Sequence, residues 1–187
     1  SKNPYPPIAQ FNEDELEAIH LTSLNLLRDK GIKVLSAEAR EHYRQAGANV
    51  SEDTLMVQFD PDMLLQTVEQ APASFTMHGR SANRWIEVGD NNLIFATVGG
   101  PPHYSDLEGG RRAGTHDTFR DLLRMAQNYD VIHLTTPMVE PQDLPIPVRH
   151  LHMTRSVVTL TDKPTFIYSR GREAVADSLE ILRIAYG

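Results

Sequence analysis

Apolar positions in the first ninety residues recur with two different periods. Leu16, Ile19, Leu26 and Leu27 fall on one face at helical spacing. With Asn12 as a cap and Gly31 as a terminator, they predict a helix over 12–30. Ser36 caps a second, shorter helix that stops at Gly47. Leu55, Val57 and Phe59 alternate with Thr54, Met56 and Gln58, the period of a half-buried strand over 54–59. Asp60-Pro61 is a cap followed by proline at the first helical position, and Met63, Leu64 and Val68 give that third helix its apolar side before Pro72 closes it. Residues 74–78 and 85–88 predict two further short strands around the polar loop 79–84. Helices mixed with short antiparallel strands make an α+β pattern.

From residue 92 the rhythm changes. Residues 93–98 form a continuous apolar strand that runs into Gly99-Gly100-Pro101-Pro102. Residues 104–114 predict a small hairpin turning at Gly109-Gly110, and Thr115 caps a helix carrying Phe119, Leu122, Leu123 and Ala126. A strand over 131–135, a long loop, a helix over about 145–160, a strand over 164–169 and a helix over 172–186 follow. Val175, Leu179, Leu182 and Tyr186 form the stripe of the last helix. Strands alternating with amphipathic helices predict βα units around a parallel sheet. The boundary between the two patterns places an N-terminal α+β extension at 1–90 and three βα units at 91–187. A doubly wound sheet and part of a closed (β/α)8 barrel both fit, since a complete barrel needs about 250 residues. No strand runs directly into a G-x-G-x-x-G turn, and the two prolines of the Gly-Gly-Pro-Pro turn remove backbone donors. A dinucleotide-binding fold therefore ranks second.

Composition narrows the chemistry. The 187 residues, 40% of them hydrophobic, suffice for one sizeable core. The formal net charge of -7 argues against a nucleic-acid partner, which needs a basic surface. The chain has no cysteine, so disulfides, thiolate metal sites, iron–sulfur clusters and thiol nucleophiles are excluded within it. No apolar run approaches the roughly 20 residues of a membrane span, and the Pro-rich start lacks an apolar signal core. A cytoplasmic protein is expected.

Five stretches in order carry a family likeness: HLTSLNLLRDKGIKV, APASFTMHGR, FATVGGPPHYSDLEGGRRAGTHDTFRDLLRMA, MVEPQDLPIPVRHLHMTRSVVTLTDKP and the final helix. Together they resemble the N-terminal part of the trimethylamine methyltransferase family, which includes trimethylamine and glycine betaine:corrinoid methyltransferases. The resemblance implies a (β/α)8 TIM barrel, of which residues 91–187 are the first three βα units. It also implies transfer of a methyl group from a tertiary or quaternary methylamine to Co(I) in a corrinoid (cobalamin). That cofactor would ride on a separate corrinoid protein and not bind within this chain. The remainder of the barrel, or another chain, would complete the fold, and a homo-oligomer is expected. A pyrrolysine, if the family branch has one, would lie beyond Gly187.

Barrel sites lie at the C-terminal ends of the strands. Here these are 99–103, 137–143 and 168–170. Glu140 and His103 are the candidate catalytic residues, and Gly99, Gly100, Tyr168 and Asp143 the candidate substrate-binding ones. A carboxylate at Glu140 suits a cationic amine, with an attraction of about 4 kcal/mol at 4 Å and intermediate dielectric. The plainer reading, an acid favouring the dipole of the next helix, fits Asp143 better than Glu140. The turn before His103 aims that side chain into the pocket, or only starts the hairpin. Tyr168 suits a cation–π contact with a methylammonium group. His150 and His152 look like a metal pair in text. Two residues apart on a helix, they point about 200° from each other, and no metal site is expected. Arg149 and Arg155 suit carbonyls, carboxylates or a neighbouring subunit. A non-catalytic scaffold segment, or a barrel enzyme acting on a non-methylated substrate, is the alternative reading.

Overall fold

The computed structural model describes residues 2, 4–5, 8–167 and 170–187. The chain forms two compact units, Pro4–Ala73 and Ser74–Gly187.

In the first unit, α1 (Glu13–Asp29) begins at a capping box. The Asn12 side chain accepts from the Glu15 amide, and Glu15 accepts from the Asn12 amide, both at 2.9 Å. The helix stops at Gly31, where the amide bonds back to the Leu26 carbonyl at φ +71°. A Cβ there would sit 2.2 Å from the Val57 carbonyl oxygen, so the turn requires glycine. β1 (Ile32–Lys33), α2 (Ala37–Gln45), β2 (Asn49–Ser51), β3 (Met56–Gln58) and α3 (Pro61–Val68) follow. The strands form an antiparallel sheet in the order β1-β3-β2. Ser36 and Asp60 cap α2 and α3, and Pro61 occupies the first position of α3. The strand expected over 54–59 is shorter because Leu55, at φ +60°, belongs to the β2–β3 turn. Ala48, Val57 and Phe59 make the core, with Leu27, Val34, Val50, Met63 and Leu64 packed around it. The buried Arg40 donates to the Val34 and Leu35 carbonyls and pairs with Glu52 at 2.7 Å.

The second unit opens with the hairpin β4 (Ser74–His78)–β5 (Trp85–Gly89), paired from Ser74↔Gly89 to His78↔Trp85. The units thus divide at 73/74, ahead of the change of sequence rhythm near residue 90. A second hairpin, β6 (His103–Asp106)–β7 (Gly110–Ala113), and the helices α4 (His116–Asn128), α5 (Ile146–Leu160) and α6 (Arg172–Tyr186) complete it.

Between these elements, three extended segments run side by side and parallel. Ala96 bridges Leu134, and Thr135 bridges Thr165, both in parallel sense. The His133 amide donates to the Phe95 carbonyl at 2.9 Å and the Thr97 amide to the Leu134 carbonyl at 3.1 Å. On the other side, the Thr135 amide donates to Pro164 at 3.0 Å and the Phe166 amide to Thr135 at 2.9 Å. The middle segment therefore lies between the other two, in chain order. The three meet in single bridges and not in the long strands the apolar runs suggest. Thr97 and Thr136 cross-bond through side chain and backbone where the first two meet.

α4 and α5 pack over this region through Phe119, Leu123, Ala126, Met153 and Val157, with Met138 and Val139 from the connecting loop. Full burial of a side chain such as Phe119 or Leu123 contributes about 1.5–3 kcal/mol. The C-terminus of α4 is closed by the buried Lys163, whose Nζ donates to the Ala126 and Tyr129 carbonyls at 2.6 and 2.7 Å. Burial pushes the pKa of this amine down. The architecture is mixed helix and strand, in the α/β class.

Candidate functional site

The loop leaving the second parallel segment is tied to the turn leaving the first. The Gly100 amide donates to the Pro137 carbonyl at 2.8 Å, and the Glu140 amide to the Pro101 carbonyl at 2.9 Å. The Gln142 amide adds a bond to the Gly114 carbonyl at 2.8 Å. These bonds fix the backbone around Glu140 at the C-terminal end of the parallel segments. That is where ligands of parallel α/β sheets bind.

The Glu140 side chain is 14% exposed. Its Oε1 lies 3.5 Å from Nη1 of Arg149 and 3.8 Å from Nη1 of Arg170. Arg149, at the start of α5, is itself buried and held by the Leu144 carbonyl through Nε at 3.3 Å and Nη2 at 2.9 Å. Across the same space, His150 Nε2 meets Asp177 Oδ2 at 2.8 Å and links α5 to α6. These groups line a cavity of about 850 Å³ that also includes Arg172 and Glu173. Its wall carries three arginines against three carboxylates, so it offers both signs of charge. α5 and α6 both begin on it, after Pro145 and Gly171, and neither residue has a side chain that can cap. The first amides of a helix lack intrahelical partners, and they favour an anion. Gly171 enters α6 at φ +87° and ψ 152°, a conformation suited to glycine alone.

Of the other sequence candidates, the described residues Gly99, Gly100, His103 and Asp143 do not line this cavity. Gly99 and Gly100 lie in the turn bonded to Pro137, and a Cβ at Gly99 would stand 3.3 Å from Thr136 Oγ1. His103 is exposed at the start of β6, with Nδ1 3.4 Å from Arg111 Nη2. Asp143 accepts from the His116 amide at 2.9 Å and so supports the N-terminus of α4, not that of the helix that follows it. Tyr168 lies outside the described residues. His150 is buried and His152 exposed, on opposite sides of α5. Among the described residues, no three His, Asp or Glu side chains are grouped as metal ligands would be.

A profile of the family described as Trimethylamine methyltransferase (MTTB) matches residues 1–187. The chain belongs to this family. Its relatives include a glycine betaine methyltransferase of Desulfitobacterium hafniense (strain Y51), 31% identical over 178 residues, covering 95% of this chain and 37% of the relative. The trimethylamine methyltransferase MttB of Desulfitobacterium hafniense (strain DSM 10664 / DCB-2) is 26% identical over 179 residues, covering 95% and 36%. A shorter match joins the chain to trimethylamine methyltransferase MttB1 of Methanosarcina mazei, 36% identical over 70 residues, covering 37% and 14%. The chain spans little more than a third of the length of the first two relatives.

Within this family member, Arg172 is a cavity residue that the sequence pattern did not single out, while Arg170 closes the strand-tip range 168–170. Their signal was present: Arg-Gly-Arg directly follows the third apolar strand, with the glycine at the helix start. No helix among the described residues is long and apolar enough to cross a membrane.

Proposed function

We propose that the chain is part of a methyltransferase that takes a methyl group from a quaternary ammonium carboxylate of the glycine betaine type. The acceptor would be Co(I) of a corrinoid carried by a partner protein. Residues 91–187 would supply the first three βα units of a (β/α)8 barrel, and residues 1–90 an extension to it. Three parallel segments in chain order, each followed by a helix, support that reading. So do the names of the relatives, one of which is a glycine betaine methyltransferase.

The observation that carries the choice of substrate is Glu140 held between Arg149 and Arg170 beside two uncapped helix starts. A lone carboxylate would suit a bare cation such as trimethylammonium. In a wall that is balanced as a whole, the cluster of Glu140 with two guanidinium groups carries a local excess of one positive charge, and helix N-termini add to it. That environment suits the carboxylate of a betaine, while Glu140 orients the arginines and faces the ammonium end. His103, Gly99, Gly100, Tyr168 and Asp143 keep the proposed roles of outer catalytic and substrate-contacting groups. For Asp143, that role would act through the α4 start it supports. The corrinoid would provide the nucleophilic metal. These residues bind and orient the methyl donor and keep its charges paired.

The test is demethylation of a panel of methylamines and betaines by the native gene product, followed through methylation of free cob(I)alamin. Glycine betaine or a close analogue should react, and Glu140→Gln should slow that reaction by roughly tenfold or more. A full-rate Glu140→Gln variant would remove Glu140 from the site. A folded protein that demethylates no panel member would favour the alternative, a scaffold segment or an enzyme for another substrate.

A further inference from the structure

His150 and His152 lie on opposite sides of α5, and only His150 lines the cavity around Glu140. At 100° per residue, His152, Arg155, Ser156 and Thr159 share the other side of α5. There they meet His116 and Arg120 of α4 across a cleft of about 410 Å³ lined by these six residues and Leu160. The His116 and His152 rings stand edge to face, with centroids 5.6 Å apart. The Ser156 hydroxyl donates to the His152 carbonyl at 2.9 Å, so its oxygen accepts from His116 Nε2–H, also at 2.9 Å. That arrangement fixes the His116 tautomer and holds its ring in place.

No carboxylate lines this cleft. The acids nearby act at its edges. Asp117, almost fully exposed, sits 3.6 Å from Arg120, and Asp143 accepts from the His116 backbone amide. Arg155 is exposed and makes no ion pair among the described residues. Two arginines, two imidazoles and two hydroxyls thus converge in a chain whose net charge is -7. A packing role does not call for such a reversal of sign, and the two arginines place like charges on adjacent helices. The volume falls in the range of small-molecule pockets, larger than a bare inorganic ion requires. Guanidinium forks and imidazoles match phosphate oxygens in geometry and charge.

We propose that the cleft between α4 and α5 is a binding site for a phosphate-bearing small anion, held by Arg120, His152 and Arg155, with His116 fixed in the wall by Ser156. It is distinct from the Glu140 cavity, and it does not depend on the substrate assigned there.

The experiment is calorimetric titration of the protein with inorganic pyrophosphate, and with citrate as a polycarboxylate of similar charge, at matched ionic strength. Saturable binding of one pyrophosphate per chain is expected. Arg155→Gln and His152→Gln should each weaken it by about tenfold, with the thermal midpoint unchanged because both side chains are exposed. Absence of saturable binding, or pyrophosphate affinity unaltered in both variants, would overturn the proposal. Citrate binding as tightly as pyrophosphate would overturn the phosphate assignment.

Discussion

α4 and α6 make an instructive pair. Both are amphipathic helices of similar length, 13 and 15 residues. α4 is finished at every point. Thr115 caps it at 3.1 Å through the Thr118 amide, and Asp143 takes the His116 amide. Phe119, Leu123 and Ala126 are buried, and Lys163 closes its last turn. α6 starts after an uncapped glycine, buries only Ser178, and leaves Leu179 and Ile184 more than half exposed. Hydrophobic spacing alone does not distinguish them. Their caps and partners do. The closed helix holds the scaffold, whereas the open one presents its amides and Arg172 to the cavity beside Glu140.

The largest test of this contrast is truncation of the apolar stripe. Phe119→Ala should cost about 3–5 kcal/mol of unfolding free energy in denaturant melts. In the 187-residue chain, Leu179→Ala, on the exposed flank of α6, should change it by no more than about 0.5 kcal/mol. Equal losses would mean that α6 is as firmly anchored as α4. At the next level, Thr115→Ala should cost about 1 kcal/mol, since it strands amides at the start of α4. A loss below about 0.3 kcal/mol would show that Asp143 alone closes that end.

The smallest effect concerns the base of the parallel segments. His133 Nδ1 accepts from the Phe95 amide at 3.0 Å, and burial, aided by the Lys163 charge, pulls its pKa below the ordinary histidine value. The unfolded chain then binds this proton more readily than the folded one. His133 therefore contributes its stability above the ordinary histidine pKa, and that contribution is lost as the pH falls toward the folded value. The thermal midpoint should drop between about pH 7.5 and 5.5, and His133→Asn, which keeps an acceptor, should flatten part of that slope. An unchanged slope would show that other groups set the acid limit.

What could be read from the sequence follows the range of each interaction. Caps at Asn12, Ser36, Asp60 and Thr115 act within four residues, and all four are where their residue types predict. β1 and β2, two and three residues long, exist only because β3 pairs with them, and no local pattern announces them. The parallel direction of the three apolar segments was legible from their alternation with helices, but not that they would touch in single bridges. Glu140 was legible as a loop carboxylate with no packing reason for its charge. Arg149 was legible as a partner for carbonyls or carboxylates and Arg170 as a strand-tip residue, but not their meeting at Glu140, because they come from helix starts distant in sequence. The His116–His152 contact spans 36 positions and is invisible to any spacing rule.

The claim that matters most is that the cavity at Glu140 reads a carboxylate on a methylated ammonium. It is tested most directly by comparing the equilibrium affinity of the native gene product for glycine betaine and for tetramethylammonium, with Arg170→Gln as the variant. The account predicts betaine to bind at least about tenfold tighter, and that advantage to shrink toward unity in Arg170→Gln. Equal affinities in the unmodified protein, or a betaine preference untouched by the substitution, would contradict it.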